Sequence, residues 1–120
     1  MIGNIARAGL LAFAATVAVT SVAQAATAYD GRWSLNIVTQ HGACDTYNFP
    51  VDISNGRVSF PGLNKASGQV SAKGAVKVFV SAAGKSASGS GQLTPGSGSG
   101  RWSGKSGNDR CSGTWTAQRG

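Results

Sequence analysis

Beyond residue 25, apolar side chains recur at every second position, and this alternation constrains the fold more than any other feature. Trp33, Leu35 and Ile37 alternate with polar residues, and the same spacing returns in most later stretches of the chain. Successive residues of a strand point to opposite faces of a sheet, so a period of two predicts half-buried strands. No stretch after Ala25 has apolar residues at helical spacing. The sequence therefore predicts an all-β domain.

Turn-forming residues divide the alternating stretches into about eight short strands. Asn55-Gly56 predicts a two-residue hairpin, Pro61-Gly62 a strand break and Lys73-Gly74 another turn. The predicted strands span residues 32–37, 46–53, 58–60, 68–72, 76–82, 87–93, 101–103 and 111–117. Tight turns between consecutive strands indicate a small antiparallel meander. About eight strands suffice to close a small barrel, whereas an open sheet leaves two exposed edges. We favour the closed barrel, with a two-sheet β-sandwich as the alternative.

Three strand positions carry more specific expectations. Pro50 cannot donate a hydrogen bond to a neighbouring strand, which predicts an edge or a bulge at that point. Phe79 has the parity of the polar residues around it, so it is expected to face outward beside Lys77. The small residues of the stretch from Ala87 to Leu93 predict a tight bend or a close approach of two backbones.

The first 25 residues have the pattern of a secretory signal peptide. Arg7 supplies the positive charge, residues 10–23 are mostly apolar, and Ala23-Gln24-Ala25 fits a cleavage site. An uncleaved membrane anchor is the alternative, but the apolar stretch is short and Ala-rich for a span. We predict a signal-peptide helix over residues 1–25 and a single exported domain over residues 26–120. That domain would carry a net charge of +6 and be periplasmic or secreted.

Cys44 and Cys111 are the two cysteines of the chain. In an exported domain they predict a structural disulfide, worth about 4 kcal/mol of stability by loop-closure entropy. A redox pair or a metal site is the alternative, although a redox pair usually has two intervening residues and His41 is the only histidine. The high Gly and Ser content leans toward disorder. The ordered alternation, the tryptophans and the cysteine pair favour a folded domain.

Gly31-Arg32-Trp33 opens the first strand, and the last strand ends in Trp115-Thr116-Ala117-Gln118-Arg119. A Gly-x-Trp on strand one and a basic residue on the last strand resemble the calycin-type barrels, which include lipocalins, avidins and periplasmic protease inhibitors. The resemblance implies that Trp33 plugs one barrel end with Arg119 packed across it, and that Trp115 belongs to the same plug.

A second resemblance covers nearly all of residues 29–119. Gly-x-Trp, Cys44, Asn-Gly-x-Val and then Cys-Ser-Gly-x-Trp around Cys111 are similar to the pattern of small exported bacterial β-barrel proteins. This resemblance implies the fold and the export, but it implies no activity.

The residues that could perform catalysis are few and unpaired. The acids are Asp30, Asp45, Asp52 and Asp109, and no two of them have the spacing of a carboxylate pair. His41 lies four residues before Asp45, but a solvated turn histidine is its simplest interpretation. We therefore expect a non-enzyme with no cofactor and no metal.

The basic residues suggest one further possibility. Six of them are predicted to lie outward on strands or beside them: Arg32, Arg57, Lys73, Lys77, Lys85 and Arg101. Such a belt would attract polyanions, including lipopolysaccharide phosphates and anionic lipid. The alternative is that these charges only keep a Gly/Ser-rich domain soluble. No nucleic-acid-binding module is recognised.

Three functions follow as hypotheses. The leading one is a non-catalytic exported barrel that binds a partner or a small ligand through its loops or barrel mouth. The second is a protease inhibitor whose N-terminal arm, residues 26–30, enters a protease cleft. The third is a binder of anionic surfaces.

Overall fold

In a computed structural model, residues 27–63 and 65–120 are described, and the predicted signal peptide lies outside the described residues. Each strand pairs antiparallel with the next, and β8 pairs with β1, which closes the sheet into a barrel. This confirms the all-β prediction and selects the barrel over the sandwich. Within the described ranges, no helix is long and apolar enough to cross a bilayer. The eight strands are β1 (Gly31–His41), β2 (Tyr47–Ser54), β3 (Arg57–Ser59), β4 (Lys65–Val70), β5 (Ala75–Ala82), β6 (Lys85–Leu93), β7 (Ser97–Ser106) and β8 (Asp109–Arg119).

The predicted turns set the strand order, with small differences at strand ends. Asn55 and Gly56 have φ of 52° and 76°, as a two-residue hairpin requires. Pro50 pairs with Ser34 on β1, while β3 pairs only with residues 52–54, so the far side of Pro50 has no strand partner. The strand predicted over 68–72 runs instead over 65–70. Ser71 ends it, because its hydroxyl accepts hydrogen bonds from the backbone N–H groups of Lys73 and Ala75.

β7 is much longer than predicted. It begins at Ser97 rather than at residue 101, and the Thr94 hydroxyl accepts the backbone N–H of Ser97 at 3.2 Å to close the preceding turn. The stretch from Ser97 to Gly100 alternates Ser and Gly and has no large apolar residue, so hydrophobic periodicity could not reveal it.

The two ends of the barrel differ in how they are filled. The end that holds the 55–56, 71–74 and 94–96 turns and the C-terminus is packed, and we call it the closed end. The opposite end holds the 42–46 and 60–64 loops and the 83–84 and 107–108 turns, and we call it the open end. The buried core cluster consists of Tyr29, Trp33, Val51, Ile53, Val58, Phe60, Val70, Val76, Leu93, Trp115 and Ala117.

Large side chains fit into this small barrel because facing strands supply glycines. The Trp115 indole donates a hydrogen bond to the Ser90 carbonyl oxygen on β6, two strands away, at 3.2 Å. It passes over Gly100 on β7, where an added Cβ would lie 2.6 Å from the indole nitrogen. Gly91 on β6 borders the same indole. The sequence predicted a tight bend or a close approach of two backbones in this glycine-rich part of the sheet. The structure shows that its glycines make room for the Trp115 indole.

Cys44 and Cys111 form the predicted disulfide, with their Cα atoms 6.1 Å apart. The bond ties the loop between β1 and β2 to β8 at the open end. Gly42 makes the approach possible, because it has a φ of 95° and a Cβ at this position would lie 2.8 Å from the Cys111 sulfur. The covalent link therefore holds the end of the barrel that side-chain packing leaves open.

Candidate ligand-binding cup and cationic face

The interior of the open end is a cavity rather than a packed core. Its volume is about 220 Å³, it is open to solvent, and its lining includes Cys44 of the 42–46 loop and Leu63 of the 60–64 loop. Below it, a smaller void of about 60 Å³ is lined by apolar side chains, among them Leu35, Val78 and Trp115. We call the larger cavity the cup, and its apolar wall is formed by Ile37, Tyr47, Phe49, Leu63, Val80 and Trp102.

The cup exists because small residues face large ones across it. On the wall formed by β6 and β7, Trp102 is surrounded by the small inward residues Ala87, Gly89 and Gly104, which leave space that bulkier side chains would fill. On the opposite wall, the rings of Tyr47 and Phe49 stack with centroids 5.9 Å apart. The wall residues are only partly buried, in contrast to the core of the closed end.

Trp102 is fixed in the cup wall by its polar atom. Its indole N–H donates to the carbonyl oxygen of Val38 on β1 at 3.0 Å, so the ring is held across the inner face of β8. A half-buried aromatic ring whose N–H is already bonded presents an apolar surface to the cavity.

One cation stands at the cup. Lys85 begins β6 with the inward parity of Ala87 and Gly89 and lines the cavity, whereas Lys105 on β7 has the outward parity of Arg101. Lys85 is exposed, and no hydrogen bond or ion pair of its side chain is seen among the described residues. The arrangement is therefore an apolar pocket with positive charge at its opening, which suits an apolar group that carries an anionic head.

The closed end is sealed by an arginine over a tryptophan. The Arg119 guanidinium lies 5.7 Å from the centre of the Trp33 ring, and Trp33 is 1% exposed. Arg119 also donates to the carbonyl oxygens of Ala28, Asp30 and Pro95. Trp115 lies further from the closed end than Trp33 does. In the pairing of β1 with β8, Trp33 lies opposite Arg119, whereas Trp115 lies opposite Ile37, which is two inward-facing positions further along β1.

The six predicted anion-binding residues do not form one belt. Arg32 bonds to Asp52, with Nε 2.8 Å from Oδ1, and Arg57 and Lys73 lie near the closed end. Lys85 lies at the cup. Lys77 and Arg101 are brought together, because they pair with Ser90 of β6 from its two sides.

Two residues that the sequence analysis missed extend this pair. Lys105 and Arg110 pair directly across β7 and β8, and both are exposed. We define the cationic face as Lys77, Arg101, Lys105 and Arg110. Lys105 has the same strand parity as Arg101 and therefore faces the same side of the sheet, so parity could have identified it from the sequence. Arg110 was missed because the sequence pattern predicted a turn over residues 107–109 and a last strand that begins at residue 111, whereas β8 begins at Asp109.

His41 lies on the outside of the barrel. A bulge between Thr39 and His41 shifts the register so that His41 pairs with Ser112, and both line a shallow groove on the outer surface. The described part of the chain holds no group of three His, Cys, Asp or Glu side chains that could bind a metal ion.

Comparisons with known proteins add no relative: no family model matches the chain, and neither the curated proteins nor the solved structures yield a match.

Proposed function

We propose that this protein is an exported, non-catalytic binding protein whose cup takes a small apolar group attached to an anionic head. The observation that carries the proposal is the solvent-open cavity of about 220 Å³ with apolar walls at one end of a barrel that is packed at the other. Ligand sites in proteins are typically concave and mostly apolar, with a few polar groups that set orientation. The cup is small by that standard, so it suits a ring or a short chain.

The charge at the opening supports an anionic head group. Lys85 lines the cavity, and no acidic residue among the described ones does so. An apolar group inside the cup would gain about 25 cal/mol for each Å² removed from water. A head group at the rim would add a solvent-screened attraction, which affects orientation more than affinity.

The disulfide supports export, and the apolar walls of the cup support binding. Disulfides persist mainly in oxidising compartments, which agrees with the predicted signal peptide. The cup wall holds apolar side chains, as a site that binds an apolar group requires.

The alternative of a protease inhibitor receives less support. Its arm would include Ala28, Tyr29 and Asp30, and the carbonyl oxygens of all three accept hydrogen bonds from Arg119 or Trp33. A segment bound to the barrel in this way is not available to extend into a protease cleft.

Two fluorescent probes that differ by one sulfonate test the proposal on the purified, oxidised protein. N-phenyl-1-naphthylamine is neutral, and 1-anilinonaphthalene-8-sulfonate carries the anionic group. We expect both probes to brighten on binding, with the anionic probe binding more tightly. Lys85→Gln should remove that preference and leave the affinity for the neutral probe unchanged.

A cup-filling variant supplies the matched control. Ala87→Leu adds a side chain beside Gly104 inside the cup, where the two positions face each other across β6 and β7. Ala75→Leu adds the same atoms at an exposed position of β5. We expect Ala87→Leu to abolish probe binding and Ala75→Leu to retain it. Equal binding by both variants would show that the probes bind elsewhere and would contradict the proposal.

A further inference from the structure

The outer surface of the barrel carries an organised row of hydroxyl groups that the cup does not use. Ser88, Ser103 and Ser112 pair in one continuous cross-strand row over β6, β7 and β8. Phe79 on β5 pairs with Ser88 at one end, and His41 pairs with Ser112 at the other. We call these three serines the serine row.

Positive charge flanks the serine row on both sides. Arg101 and Lys105 lie two residues to either side of Ser103 on β7, with Lys77 beyond Arg101 and Arg110 beside Lys105. Adjacent strands are about 4.8 Å apart and two strand residues span roughly 7 Å, so the four cations lie on a patch of about 14 by 14 Å, measured along the sheet. The serines are short and the cations are long, so the row forms the floor of a trough.

The trough is open to solvent and has no acid within it. Two shallow grooves of about 470 and 460 Å³ lie over this face, and both are bordered by Ser88 and Ser103. The only ion pair within the described residues joins Arg32 to Asp52 on β1 and β2, away from the trough. Asp109, at the start of β8, is the nearest carboxylate along the trough's own strands. Lys105 and Arg110 face each other as like charges, an unfavourable pairing that a bound anion would relieve.

We propose that this trough binds an anionic polysaccharide, with the sulfate or phosphate groups of the chain on Lys77, Arg101, Lys105 and Arg110. The sugar hydroxyls would exchange hydrogen bonds with the serine row. The ring of Phe79, which is 50% exposed, would pack against a sugar at the β5 end. This site lies on the outer surface and the cup lies inside the barrel, so a negative result at one site does not affect the other.

The chemistry of the floor favours a glycan over other polyanions. Serine hydroxyls both donate and accept hydrogen bonds, which suits a chain rich in hydroxyl groups. Single-stranded nucleic acid binds on successive aromatic platforms, and this face offers Phe79 alone among the described side chains. A membrane surface is flat and would contact only part of the serine row, which follows the curved outer wall of the barrel.

Heparin oligosaccharide is the probe, titrated calorimetrically against the oxidised full chain at several salt concentrations. Lys77→Gln combined with Arg101→Gln should weaken binding about tenfold and flatten its salt dependence, because fewer counterions are displaced. The matched control combines Arg57→Gln with Lys73→Gln, which removes the same net charge near the closed end. We expect the control to weaken binding less than twofold.

A variant that keeps the net charge tests whether binding depends on the serine hydroxyls as well as on attraction between charges. Ser88→Ala combined with Ser103→Ala should weaken heparin binding about threefold and leave the salt dependence unchanged, since only neutral hydrogen bonds are lost. Equal losses in the two Gln double variants would overturn the proposal, as would an unaffected serine variant. Tighter binding to oligo(dT) of matched charge would identify a nucleic-acid surface instead. Tighter binding to phosphatidylglycerol vesicles would identify a membrane surface, and either result would also overturn the proposal.

Discussion

The two ends of this barrel are built from the same strands, yet one is packed and the other is hollow. At the closed end, Trp33 is 1% exposed and lies beneath the Arg119 guanidinium. At the open end, Trp102 is only partly buried and lines the cup. The alternation of inward and outward residues is the same at both ends. The size of the side chains that face each other across the barrel therefore decides whether an end is filled.

Truncation of one tryptophan at each end gives the largest expected difference. Trp33→Ala removes a fully buried ring and should cost about 4 kcal/mol of unfolding free energy. Trp102→Ala should cost roughly half as much, because part of its ring already contacts solvent in the cup. Urea denaturation of both variants tests this, with Trp33→Phe as a milder substitute if Trp33→Ala fails to fold. Equal losses at the two positions would show that the two ends are equally packed.

Removal of the disulfide tests whether the open end depends on the covalent tie. Replacing Cys44 and Cys111 together by Ser should lower the free energy of unfolding by about 4 kcal/mol, because the unfolded chain gains loop entropy. Amide hydrogen exchange should then rise first in the 42–46 loop and at the start of β8, while the closed end stays protected. Uniform loss of protection along the chain would contradict the assignment of the tie to one end.

Glycine substitution tests how Trp115 is accommodated. A Cβ at Gly100 would meet the Ser90 carbonyl oxygen and would lie 2.6 Å from the Trp115 indole nitrogen, so Gly100→Ala should destabilise the barrel by about 2 kcal/mol through overpacking. Gly96 has nothing within 4 Å of its added Cβ, so Gly96→Ala should change stability by less than about 0.5 kcal/mol. Thermal unfolding of the two variants checks the contrast. A tolerated Gly100→Ala would mean that the indole does not pass over β7.

The seal at the closed end gives the smallest expected effect. Arg119→Gln loses the contact with Trp33 and the bonds to the carbonyl oxygens of Ala28 and Pro95, for a cost of about 1.5 kcal/mol. Arg57→Gln is the control, since it removes an exposed charge of β3 and should be nearly neutral. Chemical denaturation at low and high salt measures both. If the two variants lose the same stability, Arg119 does not act as a seal.

The sequence pattern predicted the strands of the barrel better than the packing of the side chains inside it. Period-two alternation and the turn residues predicted all eight strands, because both signals are local to a strand or its hairpin. The cup could not be predicted in the same way. It depends on which residues meet across β6 and β7, where Ala87 faces Gly104, and the long Ser/Gly part of β7 has no apolar signal to fix that register.

The cationic face shows the same limit. Outward parity predicted that Lys77 and Arg101 are exposed, but their proximity follows from the pairing of both strands with β6. Arg32 has the same parity and is instead paired with Asp52. Parity predicts which side of the sheet a charge occupies, whereas cross-strand register decides its neighbours.

The most direct test of the hollow and packed ends uses the three tryptophan side chains as reporters. Their indole N–H groups donate to the carbonyl oxygens of Tyr29, Val38 and Ser90, so each should give a separate signal in a ¹H–¹⁵N spectrum of the oxidised protein. Titration with N-phenyl-1-naphthylamine should shift the Trp102 signal strongly and leave the Trp33 signal in place. A spectrum in which Trp33 shifts as much as Trp102, or in which neither signal moves, would contradict a barrel that is open at one end only.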